Sequence, residues 1–465
     1  MRRTRIVATL GPATESPDVL EALLGAGVDV VRLNAAHADT LMLDRTLRAV
    51  RAAAAKIGRH VGVLVDLPGP KIRVGSVAPG TELALGSIFT LCADDCVGDA
   101  AHACISYSNL AADLSPGDRV LIDDGKVELE VTSTDPACGS VTARVVVGGT
   151  LSSNKGVNVP GVTLGVGAIT DVDRAAVAWA CGTDVDFIGQ SFVRSAADIV
   201  NLRALMSRPI PVVAKIEKHE AVTALDEVIA EADAVMVARG DLGVETAPEQ
   251  VPVIQRRIIE AARAVGKPVV IATQMLDSMT TAARPTRAEA SDVANAIFAR
   301  ADAVMLSGET AVGDHPVLVV QTMGRIAKTA EEAIRGDGGD EHGPTSDVQE
   351  AVSAAVCDLA SDLQLAAIVP VTQSGATAFA VSRHRPNRRI VAVTPTPEVA
   401  RHLALLWGVR ALVIDFAVDT DALLDDVCDA LRESGMAPQG SKVAITAGRS
   451  TRTEGGTDFI LVREV

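Results

Sequence analysis

Aromatic side chains are scarce in this chain of 465 residues, which contains seven Phe, two Trp and one Tyr. Few nucleobases could therefore stack on the protein, and its cores must be filled by Ala, Val, Leu and Ile. Basic residues are fewer than acidic ones: the chain has 43 Lys and Arg and 59 Asp and Glu, so its net charge is −16. A chain this acidic is a poor overall binder of nucleic acid, although it could still hold a local basic pocket.

The cysteines do not have the spacing of a zinc site. Cys92, Cys96 and Cys104 are close in sequence, but no second Cys or His pair accompanies them. We interpret them as free thiols in a reducing compartment. No uninterrupted apolar run reaches about 18 residues, so no membrane span is expected. The short apolar run after the basic start ends in Gly-Pro, unlike a signal peptide, and we expect a cytoplasmic protein.

Short apolar runs rich in β-branched residues recur up to residue 309, and most are followed by a stretch with helical spacing. Buried strands that alternate with helices indicate a parallel sheet. Eight such units predict a closed (β/α)₈ barrel. An open doubly wound sheet is the alternative, but no G-x-G-x-x-G motif follows the first strand. The runs cover residues 5–10, 28–34, 60–66, 185–192, 210–217, 232–240, 267–274 and 301–309.

Two regions depart from this alternation. Between residues 70 and 161, Gly and Pro turns separate short alternating runs, which is typical of a small all-β domain. Its place in the third βα loop puts it where barrel enzymes hold their active sites, so it could act as a lid. After the polar segment 334–346, helices and strands alternate again. The predicted domains are a barrel of residues 1–69 and 162–340, an inserted β lid of 70–161, and a C-terminal α/β domain of 341–465.

Polar residues collect at the carboxyl ends of the predicted barrel strands. In a closed parallel barrel these ends share one mouth, so they would form one site. A single residue such as Asn34 or Gln274 could be a satisfied structural group, but chance explains the whole set less well than a functional site does. The set comprises Arg32, Asn34, Lys215, Glu217, Arg239, Gly240, Asp241, Thr273, Gln274, Ser307 and Glu309.

The residue types in this set indicate a chemistry. Glu217 and Asp241 are hard oxygen ligands without nearby His or Cys, which suits Mg²⁺ or Mn²⁺ better than zinc. Lys215 and Glu217 are two apart on a strand and face the same side; taken alone they could be a simple salt bridge. Arg32 and Lys215 can neutralise a phosphoryl group, and the segment ARGDLG enters a helix whose first N–H groups could bind an anion. Together these features indicate phosphoryl transfer.

Several longer stretches share the pattern of one family. They are IVATLGPAT, VVRLN, GPKIRVG, KGVNVPGV, SFVRSAADI, AKIE, VARGDLGVE, ATQMLDSM, RPTRAEASDVANA and MLSGETAVGDHP. On these stretches the chain resembles the pyruvate kinase family from end to end. The resemblance implies the same three domains, and transfer of the phosphoryl group of phosphoenolpyruvate to ADP to give pyruvate and ATP. A lyase or mutase acting on phosphoenolpyruvate, or a non-catalytic metabolite sensor that kept the fold, is the alternative.

The resemblance also implies roles for individual residues. Lys215 would bridge the phosphoryl group and the enolate oxygen, while Glu217 and Asp241 would hold the protein-bound Mg²⁺ and a second Mg²⁺ would arrive with the nucleotide. Gly240 and Asp241 would offer N–H groups to the substrate carboxylate, and Thr273 its hydroxyl. Ser307 and Glu309 would belong to the proton path, and Arg32 and Arg73 would face the phosphates. Asn34 would support the nucleotide, and Asp124 and Lys155 would make contacts from the lid.

The chain departs from the family pattern beside this predicted site. Ala36 and Leu67 replace a Ser and a Thr that help bind a monovalent cation in many members, and Lys71 stands where potassium-requiring members usually have Glu. The ammonium of Lys71 is charged at neutral pH and could replace that cation. We therefore expect an enzyme that does not require potassium. The alternative is a solvated lysine at the hinge into the lid.

The segment TQSGATA, residues 372–378, follows a predicted strand and opens a helix in the third domain. Its hydroxyls and amides could cradle a phosphate, and related enzymes bind sugar phosphates or nucleoside monophosphates there. A capped helix start is an equal alternative. The candidate effector residues are Thr372, Ser374, Gly375 and Thr377. From the resemblance we also expect a homotetramer with effector-sensitive kinetics.

Overall fold

The computed structural model describes residues 2–36, 39–334, 345–417, 419–448 and 456–465. They form a closed parallel barrel of eight strands, a separate domain built mainly on a six-stranded sheet, and a third domain with a five-stranded sheet. The predicted fold class is therefore confirmed. The predicted domain limits stay predictions, and the limit at residue 340 lies outside the described residues.

The barrel closes by pairing its first strand with its last, through partners such as Arg5 and Ala303. All eight strands run parallel to their neighbours and are apolar on both faces, because helices cover the outside and side chains fill the inside. In chain order the strands are β1 (Arg5–Thr9), β2 (Val30–Asn34), β3 (Gly62–Asp66), β4 (Phe187–Gln190), β5 (Val212–Ile216), β6 (Ala234–Ala238), β7 (Val269–Ala272) and β8 (Ala303–Leu306).

Helices alternate with these strands and bury their apolar faces against the barrel. Two of them begin with a capping box: the hydroxyls of Thr170 and Thr286 accept the N–H three residues on, and the carboxylates of Asp173 and Glu289 accept the N–H of the capping residue. The helices are Pro17–Gly25, Thr40–Lys56, Asp171–Cys181, Ala196–Arg203, His219–Thr223, Leu225–Glu231, Arg239–Glu245, Val251–Ala264, Arg287–Phe298, Gly308–Ala311 and Pro316–Ala333, with 3₁₀ turns at Pro12–Thr14, Pro248–Gln250 and Asp277–Thr280.

The inserted domain interrupts the barrel between β3 and the helix Asp171–Cys181 and has its own apolar core around Phe89 and Leu129. Its main sheet is antiparallel except for one parallel pair, Ile88–Cys92 with His102–Cys104. The strands are Glu82–Leu83, Ile88–Cys92, His102–Cys104, Arg119–Ile122, Val127–Asp135, Ser140–Val147, Gly149–Thr150 and Val157–Asn158, with one short helix, Leu110–Asp113.

The third domain covers the end of the barrel at which the strands begin. Leu405 joins the apolar cluster inside that end with Val7 and Val30, and Nε of Arg5 donates to the carbonyl of Leu406 at 2.5 Å. Its sheet has the order Val409–Val413, Arg389–Thr394, Ala367–Pro370, Lys442–Ala447 and antiparallel Phe459–Glu464. Its helices are Val348–Asp362, Ala376–Arg383, Pro397–His402 and Thr420–Glu433, with a 3₁₀ turn at Leu403–Leu405.

The helices of the described ranges were also compared with the requirements of a membrane span. None of them combines the length and the apolar composition that crossing a bilayer takes.

Candidate active site

The ammonium of Lys215, near the carboxyl end of β5, is surrounded by three oxygen atoms. Its Nζ lies 2.8 Å from Oε1 of Glu217 and 3.4 Å from Oδ2 of Asp66, and it donates a hydrogen bond of 2.7 Å to Oγ of Ser191. Burial alone would lower the pKa of Lys215, but the charges of Asp66 and Glu217 outweigh it and hold the pKa above its ordinary value. Lys215 is therefore a fixed positive charge rather than a group that exchanges protons.

Asp66, the last residue of β3, connects the two cations of the site and was not among the residues predicted from the sequence. Its Oδ2 accepts a hydrogen bond of 2.7 Å from Nε of Arg32 and also lies 2.5 Å from Nη2. Burial would raise the pKa of Asp66, but Lys215 and Arg32 lower it below its usual range. The signal that could have found Asp66 is the one that selected Arg32, a charged residue at the end of a strand.

Ser191 is a second residue that sequence reasoning missed. It directly follows β4, and its hydroxyl donates to the carbonyl of Leu67 at 2.6 Å while it accepts from Lys215. The serine is buried, so its hydroxyl fixes the ammonium against the loop that leaves β3. Its signal in the sequence was weak, because a lone Ser beside a strand is usually structural.

Glu217 and Asp241 supply the oxygen atoms that could hold a metal. Glu217 is 1% exposed, and its Oε2 accepts the N–H of Phe192 at 2.8 Å. Burial raises the pKa of Glu217; Lys215 lowers it in part, and the negative charge of Asp241 raises it again. A bound cation would relieve this unfavourable pairing of carboxylates, so the residues fit a divalent metal.

The number and type of the candidate metal ligands narrow the choice of metal. Across the described ranges, no cluster of three or more His, Cys, Asp or Glu side chains could hold a metal ion. Two carboxylates alone leave most coordination positions to water and substrate oxygens. That division is usual for Mg²⁺, which binds through one or two carboxylates and substrate phosphates.

Thr273 and Gln274, directly after β7, both have left-handed backbone conformations, with φ of +66° and +54°. Such a conformation is strained for a β-branched residue and is often found at functional sites. Oγ1 of Thr273 accepts the N–H of Gly240 at 2.7 Å and donates to the carbonyl of Ala272 at 2.7 Å. The left-handed conformation of Thr273 thus goes with a hydroxyl that lies at the start of the helix Arg239–Glu245.

Lys71 reaches the same mouth from the connection into the inserted domain. Its Nζ lies 3.4 Å from Oδ1 of Asp241, and the two side chains are 32% and 25% exposed. The aliphatic part of Lys71 passes close to Gly156, where a side-chain carbon would lie only 3.1 Å from Cε. The lysine is therefore held beside a metal-ligand candidate rather than free in solvent.

Ser307, Glu309 and Asn34 make local contacts at the ends of their strands. Glu309 accepts the N–H groups of Leu276 at 3.1 Å and Ser307 at 2.7 Å and is 1% exposed, so it ties together the loops after β7 and β8. Among the described residues, Oγ of Ser307 is buried and has no hydrogen-bond partner. Oδ1 of Asn34 accepts the N–H of Ala36 at 3.1 Å. Their roles in proton transfer and nucleotide binding stay predictions.

The predicted lid residues Asp124 and Lys155 lie in the inserted domain, together with Arg73, which was predicted to face the phosphates. Nζ of Lys155 pairs with Oδ1 of Asp123 at 3.0 Å, and Nη1 of Arg73 donates to the carbonyl of Asn154 at 2.9 Å. Asp124 follows in a left-handed turn with φ of +57°. In the part of the chain that the structure describes, no hydrogen bond or ion pair joins these three predicted residues to Lys215, Glu217 or Asp241, and their nucleotide contacts stay predictions.

The predicted effector loop forms a turn closed by the Thr372 hydroxyl just before the helix Ala376–Arg383, and the start of that helix has no side-chain cap. Oγ1 of Thr372 accepts the N–H of Gly375 at 2.9 Å, and Gly375, with φ of +94°, precedes the helix Ala376–Arg383. The hydroxyls of Thr377 and Thr457 share a hydrogen bond of 2.8 Å, while Ser374 is exposed. An effector at these four residues stays a prediction.

Comparisons with known proteins agree over the full length of the chain. A family model described as "Pyruvate kinase, barrel domain" matches residues 1–320, and one described as "Pyruvate kinase, alpha/beta domain" matches residues 350–463. Pyruvate kinase 2 of Synechocystis sp. is 44% identical and aligns with 100% of this chain and 79% of its own. The pyruvate kinase of Mycobacterium intracellulare is 42% identical over 100% of this chain and 98% of its own. A crystal structure of a pyruvate kinase from Cryptosporidium parvum, 33% identical, covers 100% of this chain and 96% of its own with a TM-score of 0.90.

Proposed function

Because the chain belongs to the pyruvate kinase family, and so transfers the phosphoryl group of phosphoenolpyruvate to ADP, we propose that Lys215 is the central charge of that transfer. The supporting observation is its buried ammonium, 2.8 Å from Glu217 and 3.4 Å from Asp66 at the barrel mouth. Negative charge spreads over the phosphoryl oxygens in the transition state. A cation fixed in advance stabilises that charge without reorganisation, and removing one such group costs roughly 10²-fold in rate.

Arg32 supplies a second positive charge in a set orientation. Asp66 accepts from Nε of its guanidinium, and Nη1 donates to Oγ1 of Thr9 at 3.2 Å. These contacts leave part of the guanidinium edge of Arg32 free for phosphate oxygens. A guanidinium can bind such oxygens through two parallel hydrogen bonds. We therefore assign Arg32 to the phosphoryl group, with Asp66 as its positioning residue.

Glu217 and Asp241 would hold Mg²⁺, or Mn²⁺, with substrate oxygens and water completing the coordination. When bound, the metal supplies positive charge that neutralises the oxygens of the substrate and the phosphoryl group. Gly240 and Thr273 would bind the substrate carboxylate only by releasing their present acceptors, because the N–H of Gly240 donates to Thr273 and the hydroxyl of Thr273 donates to the carbonyl of Ala272. The hydrogen bond between them, at 2.7 Å, keeps both groups at the helix start.

We further propose that the enzyme does not require potassium. Lys71 places a tethered ammonium 3.4 Å from Asp241, while Ala36 and Leu67 offer no side-chain oxygen to a monovalent cation. A tethered charge needs no binding step, so activity would be independent of the concentration of potassium. The homotetramer and its phosphometabolite effector are likewise proposals, supported by the resemblance to the family.

One assay tests the proposed chemistry against its alternatives. Pyruvate formation from phosphoenolpyruvate is measured with Mg²⁺, in the presence and absence of ADP. Turnover that needs ADP and yields equimolar ATP supports the kinase. Loss of phosphoenolpyruvate without ADP would indicate a lyase or mutase, and absence of turnover with bound substrate would indicate a sensor.

A further inference from the structure

A buried hydrogen bond connects the inserted domain to the barrel beside the candidate metal site. Nδ2 of Asn158, on the last strand of the inserted domain, donates to Oε1 of Glu245 at 2.9 Å. Glu245 ends the helix Arg239–Glu245, and Asn158 and Glu245 are 7% and 4% exposed. A hydrogen bond to a carboxylate is stronger when it is shielded from water, so this contact can hold the two domains in a defined relative position.

The same oxygen of Glu245 also receives the ammonium of Lys218. Nζ of Lys218 lies 2.6 Å from Oε1, and Lys218 directly follows the metal-ligand candidate Glu217. The other candidate, Asp241, is four positions before Glu245 and so about one turn earlier on the same helix. One carboxylate oxygen therefore joins both segments that carry the candidate metal ligands to the inserted domain.

Within the inserted domain, Asn158 belongs to the pair of strands next to the predicted nucleotide contacts. Its strand, Val157–Asn158, pairs antiparallel with Arg119–Ile122. Asp124 follows that partner strand by two positions, and Lys155 precedes Asn158 by three. A shift of Asn158 relative to the barrel would move both predicted nucleotide contacts with it, because backbone hydrogen bonds join the two strands.

The second oxygen of Glu245 is poorly satisfied. Oε2 is buried and, among the described residues, has no hydrogen-bond partner; Nδ1 of His219 lies 4.0 Å away. A buried carboxylate oxygen without a donor costs free energy. A neutral side chain would avoid that cost, so the stability of the barrel alone does not account for a carboxylate at this position.

On the basis of the proposed kinase function, we propose that Asn158 and Glu245 are positioning residues for the nucleotide. Their hydrogen bond fixes the inserted domain against the segments of the candidate metal ligands, so that Asp124 and Lys155 face the phosphates of ADP. Both residues act through the placement of the inserted domain rather than by contact with the reacting atoms. Misplacement of a binding group by about 1 Å can cost about 10²-fold in rate, so one hydrogen bond at this place can control the use of the nucleotide.

The test is a rescue by reversal of the hydrogen bond. Asn158→Asp replaces the donor with a carboxylate of the same shape, which Glu245 repels. Asn158→Asp/Glu245→Gln restores one donor and one acceptor in the opposite direction and keeps one negative charge beside Lys218. Asn109→Asp is the matched control, because Asn109 is exposed in the inserted domain and its side chain makes no capping hydrogen bond. Asn158→Asp/Glu249→Gln is the control for rescue, since Glu249 is exposed.

Pyruvate formation is measured against ADP and against phosphoenolpyruvate at saturating Mg²⁺. In Asn158→Asp we expect the KM for ADP to rise about tenfold, with a smaller change in kcat. The KM for phosphoenolpyruvate should stay within about twofold of the parent value, because Lys215 and Arg32 belong to the barrel. Asn109→Asp should match the parent. Calorimetric titration with ADP and Mg²⁺, in the absence of phosphoenolpyruvate, should give Kd values in the same order without any turnover.

The reversed pair should return the KM for ADP to within about threefold of the parent value, whereas Asn158→Asp/Glu249→Gln should stay impaired. If Asn158→Asp does not fold, Asn158→Ala carries the comparison, because it removes the donor and leaves Glu245 paired with Lys218.

Three results would overturn the proposal. The first is a KM for ADP that stays within about twofold of the parent value in Asn158→Asp or Asn158→Ala. The second is an equal rise in the KM for both substrates, which would indicate a general loss of structure. The third is a reversed pair that is no better than Asn158→Asp. A parent that makes no pyruvate would contradict the proposed function itself, whereas an active kinase with any of these three results would contradict only the positioning roles.

Discussion

Nζ of Lys215 and Oε1 of Glu217 lie 2.8 Å apart at a place where both side chains are almost completely buried. The two residues are two positions apart along β5 and its end, so the strand itself aims them at one site. Each residue shifts the pKa of the other. Glu217 raises the pKa of Lys215 and so keeps the ammonium charged, whereas Lys215 offsets only part of the rise that burial causes in the pKa of Glu217. The pair is thus prepared for a phosphoryl group on one side and a metal on the other.

Glu217→Gln should keep the fold, raise the concentration of Mg²⁺ needed for half-maximal activity, and lower the maximal rate by roughly 10²-fold. The reason is that the amide retains the shape of the side chain but loses the charge that attracts the metal. Titration of activity with Mg²⁺ checks this, with Glu249→Gln as the control because Glu249 is exposed. Equal activity of Glu217→Gln and the parent at limiting Mg²⁺ would contradict the metal assignment.

Asp66→Asn should lower both activity and stability. The substitution leaves Arg32 and Lys215 without the carboxylate that both contact, and loss of one partner from a buried ion pair costs about 3–5 kcal/mol. Denaturant unfolding and steady-state kinetics measure the two effects. If Asp66 positions Arg32, the Mg²⁺ requirement should change less than it does in Glu217→Gln. A free energy of unfolding within about 0.5 kcal/mol of the parent would rule out the proposed bridging role.

The parent enzyme should keep near-full activity when tetraalkylammonium ions are the only monovalent cations present. Lys71→Glu should lower that activity, because it removes the ammonium beside Asp241 and adds a second negative charge there. Potassium should restore activity only in part, since Ala36 and Leu67 still provide no hydroxyl ligands. A parent enzyme that is inactive until potassium is added would refute this interpretation of Lys71.

Asp29 should stabilise the fold at neutral pH and lose that effect in acid. Burial would raise the pKa of Asp29, but Arg2, Arg5, Arg59 and the N–H of Ile6 lower it below its ordinary value. A carboxyl group with a lowered pKa stabilises the folded state above its unfolded pKa of about 3.9 and ceases to do so as the pH falls through the folded value.

Asp29→Asn should therefore be less stable than the parent at pH 7, by about 3 kcal/mol, with a difference that shrinks below about pH 4. Unfolding curves at several pH values measure it, and Asp426→Asn, at an exposed position of the third domain, is the control. A difference between parent and Asp29→Asn that does not change with pH would show that the charge of Asp29 is not the cause.

The features of this protein that depend on local residue pattern could be predicted from its amino-acid sequence. The eight apolar runs predicted the barrel, and the comparisons and the structure confirm the fold and the family. Residues at the ends of those runs, such as Arg32 and Lys215, could be selected because parallel strands must end at one edge. Strand periodicity and strand direction are short-range properties that a sequence displays directly.

The three-dimensional structure was needed to show which of these groups are in contact. Asp66 pairs with residues 34 and 149 positions away, and Lys71 meets Asp241 across 170 positions. Lys155 pairs with Asp123, 32 positions away, a residue that was not among those predicted from the sequence. Arg5 of β1 donates to the carbonyl of Leu406 in the third domain, 401 positions away. Such contacts depend on how strands are ordered around the barrel and how the third domain docks, which no local pattern of residues encodes.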